Sequence, residues 1–198
     1  MLERLESAKR SLGDKHPDVA VALENLGNVY YRSGRIEETI ELLTEVAALR
    51  REVLGPNDPA VGRTLVNRGV VLWRGVGRLD EAEASMVEGI ELMSGGEGAN
   101  HPDVAHALAT LASVRTARGD GVGAERALRE ALRIRSSVLG DEHRQTAESR
   151  IDLGLNLASR EVRDAEARSL LSDGLEVLAP EAGDDDARVK AAREALAK

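Results

Sequence analysis

The chain has 198 residues, 31% of them charged, a formal net charge of −8, no cysteine, and three aromatic residues: Tyr30, Tyr31 and Trp73. An acidic chain repels phosphate backbones, which argues against nucleic acid as a partner, and no run approaches the roughly 18–20 apolar residues that cross a bilayer. Without cysteine there is no disulfide, thiolate zinc site or thiol nucleophile, and a core almost without rings must be packed from Leu, Val, Ile and Ala.

The first dozen residues, MLERLESAKRSL, are amphipathic and charged and lack the apolar centre of a signal peptide, so a cytoplasmic location is expected. From Leu12 to Ala20 the chain reads LGDKHPDVA, and it rewrites this stretch as LGPNDPAV at 54–61, GANHPDVA at 98–105 and LGDEHRQTA at 139–147. Pro17, Pro59, Pro102 and Arg144 are equivalent, in steps of 42, 43 and 42 residues. A fixed period in this range marks a stacked repeat.

Each repeat predicts two helices. In the first, Val19, Ala22, Leu23, Leu26, Val29 and Tyr30 fall on one face of a helix that opens at Pro17, whose missing N–H costs nothing there, and ends at Gly34. The partner helix carries Ile36, Ile40, Leu43, Val46, Ala47 and Leu54 and stops at Gly55. The second repeat places a helix from about Asp58 to Arg74, one extra residue within 73–76, and a helix from about Leu79. That helix decays into Ser94-Gly95-Gly96, where early termination or a mobile connector is expected. The third repeat predicts helices over Pro102–Arg118 and Val122–Leu139, the fourth over Glu142–Arg160 and Asp164–Leu178. Pro180 is expected to break the fourth unit, and Asp184-Asp185-Asp186 to favour a last helix over Ala187–Ala197 that covers the final repeat.

These residues resemble tetratricopeptide repeats of the roughly 42-residue kind found in kinesin light chains. The pattern is a Leu-Gly pair, then Tyr, Gly and Ala at fixed offsets. Leu26-Gly27, Tyr30 and Gly34 match in the first unit, where Thr39 replaces the Ala. Gly69, Gly77 and Ala82 match in the second, with Arg68 replacing the Leu. Leu111-Ala112, Gly119 and Ala124 match in the third, and Leu153-Gly154 in the fourth. Gly27, Gly69, Ala112 and Gly154 are expected where paired helices touch. The fold class implied is all-α, a right-handed superhelical solenoid of about four helix-turn-helix repeats with end helices. Residues 1–198 then form one array: a partial repeat at 1–13, repeats at 14–55, 56–98, 99–140 and 141–179, and a cap at 180–198.

The resemblance also implies that the first helices line a concave face, and that the position before the Leu-Gly pair holds an amide for the backbone of a bound peptide. Here it reads Asn25, Asn67, Thr110 and Asp152; an amide offers both donor and acceptor. Three residues on stand Asn28, Val70, Ser113 and Leu155. One turn further come Tyr31-Arg32, Trp73-Arg74, Thr116-Ala117 and Ala158-Ser159. Arg63 and His106 lie near helix starts. The candidate binding set is Asn25, Asn28, Tyr31, Arg32, Arg63, Asn67, Trp73, Arg74, His106 and Thr110, rich in the Trp, Tyr and Arg that dominate hot spots. The competing reading makes Tyr30 and Trp73 packing residues, with Arg32 and Arg74 solvated at helix ends.

Chemistry has little support. His16, His101 and His143 share one repeat position, a turn residue before each helix, so they do not converge on a metal. Glu37-Glu38 and Asp80-Glu81 sit where helix dipoles welcome charge, and the Asp184–Asp186 run lacks the rest of a calcium loop. The function expected is a non-catalytic scaffold, with no cofactor or metal, that binds a partner peptide carrying acidic or aromatic anchors. Nucleic acid and membrane are not expected partners. The alternative, suggested by the mid-repeat opening, is the docking arm of a larger signalling protein with a kinase, nucleotide-switch ATPase or protease domain. An apolar edge expected at Leu2, Leu5 and Leu12 would also suit self-association.

Overall fold

The computed structural model describes residues 2–96, 98–162 and 164–197, with every side chain among them except those of Leu2 and Arg4. Among these residues there are ten α-helices and no strand. They form two compact units, Met1–Ala99 and Asn100–Lys198.

The first unit holds α1 (Leu2–Leu12), α2 (Pro17–Arg32), α3 (Ile36–Leu54), α4 (Pro59–Val76) and α5 (Leu79–Gly96), each packed on the next. The recurrent join explains where the first helix of each hairpin starts. His16 is extended, and its Nδ1 accepts the Asp18 N–H at 3.1 Å, capping α2. Asp58 does the same for α4, accepting from the Ala60 N–H at 2.8 Å. The turn histidine thus bonds the start of its own helix. Such a cap satisfies one of the orphan donors of a helix start. Glu38 and Glu81, in the first turns of α3 and α5, are bound by Arg35 and Arg78, whose hydrogen bonds hold both carboxyls below their usual range.

Leu5, Val19, Ala20, Leu23, Leu26 and Val46 form one core cluster, and Ala47, Val61 and Leu65 another; each buried Leu is worth about 1.5–3 kcal/mol. Leu5 is only 6% exposed, so the apolar edge expected there is absent: α1 turns Leu5 onto α2. Leu12 is exposed, and the Leu2 side chain lies outside the described residues. Between α4 and α5 the backbones approach closely. A Cβ on Gly69 would lie 2.5 Å from Met86 Cγ and 2.9 Å from the Ala82 carbonyl oxygen. Gly27, expected to do the same for α2 and α3, has nothing within 4 Å of a built Cβ. Although Ser94-Gly95-Gly96 is poor helix sequence, α5 does not stop early. Met93 is buried and a Gly96 Cβ would lie 2.2 Å from the Pro59 ring, so packing overrides propensity. The extra residue of this repeat is absorbed in α4, which runs on to Val76. The two signature departures are also accommodated: buried Thr39 donates to the Arg35 carbonyl at 2.7 Å, and Arg68 donates to Thr44 and Ser85 at 3.0 and 3.3 Å.

The second unit holds α6 (Pro102–Ala117), α7 (Gly121–Leu139), α8 (Arg144–Ser159), α9 (Asp164–Ala182) and α10 (Ala187–Leu196). His101 and His143 cap α6 and α8 as His16 caps α2, each accepting at 3.2 Å. A Cβ on Gly154 would lie 2.8 Å from Leu171 Cγ, and Ala112 is buried; both are contact positions, as their place in the pattern requires. Pro180 does not break α9. It stands in the last turn, where little of the ladder remains to be lost, and the helix ends at Gly183, whose N–H donates to the Ala179 carbonyl at 3.0 Å. Asp186 caps α10, while Asp184 and Asp185 pair with Arg193 and Lys190, both at 2.8 Å. Val189 and Ala192 then bury against Ala147, Ile151, Leu171 and Leu178, so α10 covers the apolar faces of α8 and α9.

Candidate interaction surface

Eight of the ten expected binding residues lie in the first unit, on α2 and α4. His106 and Thr110 lie on α6 of the second. Asn25, Asn28, Tyr31 and Arg32 are exposed on α2; Arg63, Asn67 and Arg74 are exposed on α4, and Trp73 is half-buried. Two contacts bear on how this face would work. The Arg74 guanidinium sits 4.9 Å from the Trp73 ring centroid, so an arginine and an indole form one unit at the end of α4. The Asn67 amide donates to Glu24 Oε1 at 3.3 Å, joining α4 to α2 and using part of that amide's capacity. Tyr30, next to the exposed Tyr31, packs against the core and carries the Arg35 guanidinium 3.6 Å over its ring.

Glu24 belongs to a buried polar group not visible in the amide pattern. Arg50 of α3, 8% exposed, donates to Glu24 Oε2 at 2.7 Å, to the Thr64 hydroxyl and to the Ala60 carbonyl at 3.3 Å. Arg50 therefore ties α2 and α4 to α3 beneath the exposed residues and fixes the spacing of the face. The signal available in the sequence was an arginine at a position otherwise flanked by core residues, recurring as Arg135.

In the second unit His106 is exposed and Thr110 half-buried, its hydroxyl donating back to the His106 carbonyl at 3.0 Å. The equivalent positions one and two turns along border a cavity of about 420 Å³ between α6, α8 and α10, lined among others by Ser113, Thr116, Asp152, Leu155, Asn156 and Arg188. Asp152, in the register of Asn25, is held by Arg188 of α10 at 2.8 and 3.2 Å; that hydrogen bond raises the Arg188 guanidinium above its usual range. Asn156 is the residue the sequence reading passed over. It stands where the other repeats have Val29, Val71 and Val114, and it is 8% exposed with no partner for Oδ1 among the described residues. A polar residue breaking a column of valines was the available sign.

Among the described residues no three His, Asp or Glu side chains gather as a metal site, and no helix is long and apolar enough to cross a membrane.

The tetratricopeptide repeat family model matches residues 18–94 and 103–179. The chain belongs to the tetratricopeptide repeat family. Its fold is similar to the crystal structure of nearly identical TPR-like repeats described as a kinesin light chain from Podosopora anserina, with 21% identity over 92% of this chain and 85% of that one and a TM-score of 0.74. It is equally similar to BtubC (BKLC) from P. vanneervenii, with 19% identity over 98% of this chain and 81% of that one and a TM-score of 0.76. At these identities the likeness shows the helical-repeat solenoid fold of the kinesin-light-chain-like tetratricopeptide repeat proteins, and no more. Membership in the tetratricopeptide repeat family carries the coarse function with it: a protein–protein interaction scaffold.

Proposed function

We propose that this tetratricopeptide repeat chain is a non-catalytic scaffold that seats an extended segment of a partner protein across α2 and α4. The observation that carries the reading is the Trp73–Arg74 stack, one repeat step from the exposed Tyr31 and Arg32. Aromatic rings offer large contact area at low conformational cost, and arginine beside a ring both stacks and holds carboxylates. Asn25, Asn28 and Arg63 extend the face along the helices. A segment with an aromatic or acidic anchor fits this composition. Asn67 contributes less freely than Asn25, since its amide is already engaged by Glu24. A peptide array probed with the wild-type chain, Asn25→Ala and Trp73→Ala tests the reading. Loss of the same spots in both variants supports a shared face; unchanged spots in both remove it.

A further inference from the structure

The two units contain the same buried arginine, and only one of them is completed. In the first, Arg50 binds the Thr64 hydroxyl and the Ala60 carbonyl on α4, while its other terminal nitrogen meets Glu24 of α2 at 2.7 Å. Two repeat steps later Arg135 of α7, 6% exposed, rebuilds the first half: its Nη1 donates to the Ser149 hydroxyl at 2.7 Å and to the Gln145 carbonyl at 3.2 Å on α8. The second half is missing. The residue in the place of Glu24 is Ala109. Arg135 makes no ion pair among the described residues, and its Nε is buried with no partner. Burial holds this guanidinium below its ordinary range, opposed by Glu148 and Asp152 and reinforced by Arg188.

Ala109 supplies no carboxylate where the first unit has Glu24. Ala109 lines the cavity of about 420 Å³ together with Asp152, Asn156 and Arg188. The nearby carboxylates are already engaged: Asp152 by Arg188, and Glu148 by Arg144 at 3.1 Å. Arg135 is thus the charge left over, desolvated and incompletely bonded, which is the costly half of a broken buried pair.

We infer that the second unit is a receptor for one carboxylate, a glutamate side chain of a partner peptide, which enters beside Ala109 and completes Arg135 as Glu24 completes Arg50. A carboxylate suits the site because hydrogen bonds between guanidinium and carboxylate are the strong, charge-assisted kind. A neutral amide would leave the charge unmet, and a lysine would add a cation beside Arg135 and Arg188. The inference shares with the reading above only that the partner is a peptide; it involves neither Trp73 nor the α2–α4 face.

The test uses the full chain with ¹⁵N-labelled arginine and follows the Arg135 Nε–H resonance as Ac-Ala-Glu-Ala-NH₂ is added, with the Gln and Lys tripeptides as comparisons. The resonance is expected to shift and saturate with the Glu peptide, with the Gln peptide binding at least about tenfold more weakly. It is expected to stop responding in Ala109→Glu, where the chain supplies its own carboxylate and Tm rises above that of Ala109→Gln. Equal responses to Glu and Gln, preference for Lys, or no response at Arg135 would overturn the inference. The wild-type titration decides the matter even if Ala109→Glu fails to fold. Arg135 responding while Trp73→Ala leaves binding to the first unit unchanged would separate this site from the α2–α4 face.

Discussion

Gly62 of α4 and Gly89 of α5 face each other so closely that a Cβ on Gly62 would lie 2.5 Å from the Gly89 carbonyl oxygen, and one on Gly89 would lie 2.6 Å from that of Gly62. The nearest obstructing atom in each case is a backbone oxygen, ahead of Met93 Cγ at 2.8 Å and Val66 Cγ2 at 2.9 Å, so moving a side chain does not suffice and the helices themselves must part. Gly62→Ala and Gly89→Ala are each expected to cost about 1–3 kcal/mol in urea unfolding, and the pair to cost less than the sum of the two, since one separation accommodates both.

Gly27 provides the opposite case in the same unit. It is buried within α2 but has open space around a built Cβ. Gly27→Ala should raise stability by about 0.5–1 kcal/mol, the backbone entropy that glycine forfeits in a helix. A loss of stability from this substitution would mean that α2 and α3 sit closer than described.

Glu161 occupies the place held by Gly34, Gly77 and Gly119 in the other repeats, and like them it has positive φ: +55° against +79°, +69° and +81°. A side chain pays for this left-handed conformation, about 1–2 kcal/mol. Glu161 is exposed, so little contact is lost on removing it. Glu161→Gly is expected to stabilise the chain by about 1 kcal/mol, read as a shift of the urea midpoint with unchanged slope.

The histidine caps give a test of side-chain chemistry at the repeat join. His101→Ala removes the acceptor of the Asp103 N–H and should cost about 1 kcal/mol. His101→Asp, which copies what Asp58 already does for α4, should retain most of that stability. If the two variants unfold together, the imidazole is not acting as the cap.

The repeat period, the hairpins and the helix starts were all legible in the sequence, because they depend on local signals: proline after a capping residue, glycine at the turns, apolar spacing along each helix. What escaped depends on what stands opposite in space. Ser94-Gly95-Gly96 reads as a helix end, yet the Pro59 ring against Gly96 and the burial of Met93 keep α5 going. Pro180 reads as a break, yet it falls in the last turn of α9. Gly27 and Gly69 share a signature position, but only Gly69 meets a neighbour there. At the candidate face the exposed residues of α2 and α4 could be named from register alone. The arginine beneath them was marked only by its place among core residues and its recurrence as Arg135; its partners were not, because Glu24 and Thr64 lie on two other helices.

Removing Glu24 should therefore affect more than a surface charge. Its side chain is 22% exposed and its partner Arg50's 10%, so Glu24→Ala leaves a largely desolvated guanidinium with only its two α4 acceptors. A loss of about 2–3 kcal/mol is expected, with Glu24→Gln costing about half as much because the hydrogen bond survives without the charge.

The central claim is that the α2–α4 face, anchored on Trp73 and Arg74, is where a partner segment binds. Its most direct test is calorimetric titration of the tightest peptide selected from a displayed random library against the wild-type chain, Trp73→Ala, and Glu41→Ala on the exposed side of α3. The account predicts at least about a tenfold loss of affinity for Trp73→Ala, the effect of a hot-spot ring, and none for Glu41→Ala. Equal affinity for the wild type and Trp73→Ala, or a comparable loss in Glu41→Ala, would contradict it.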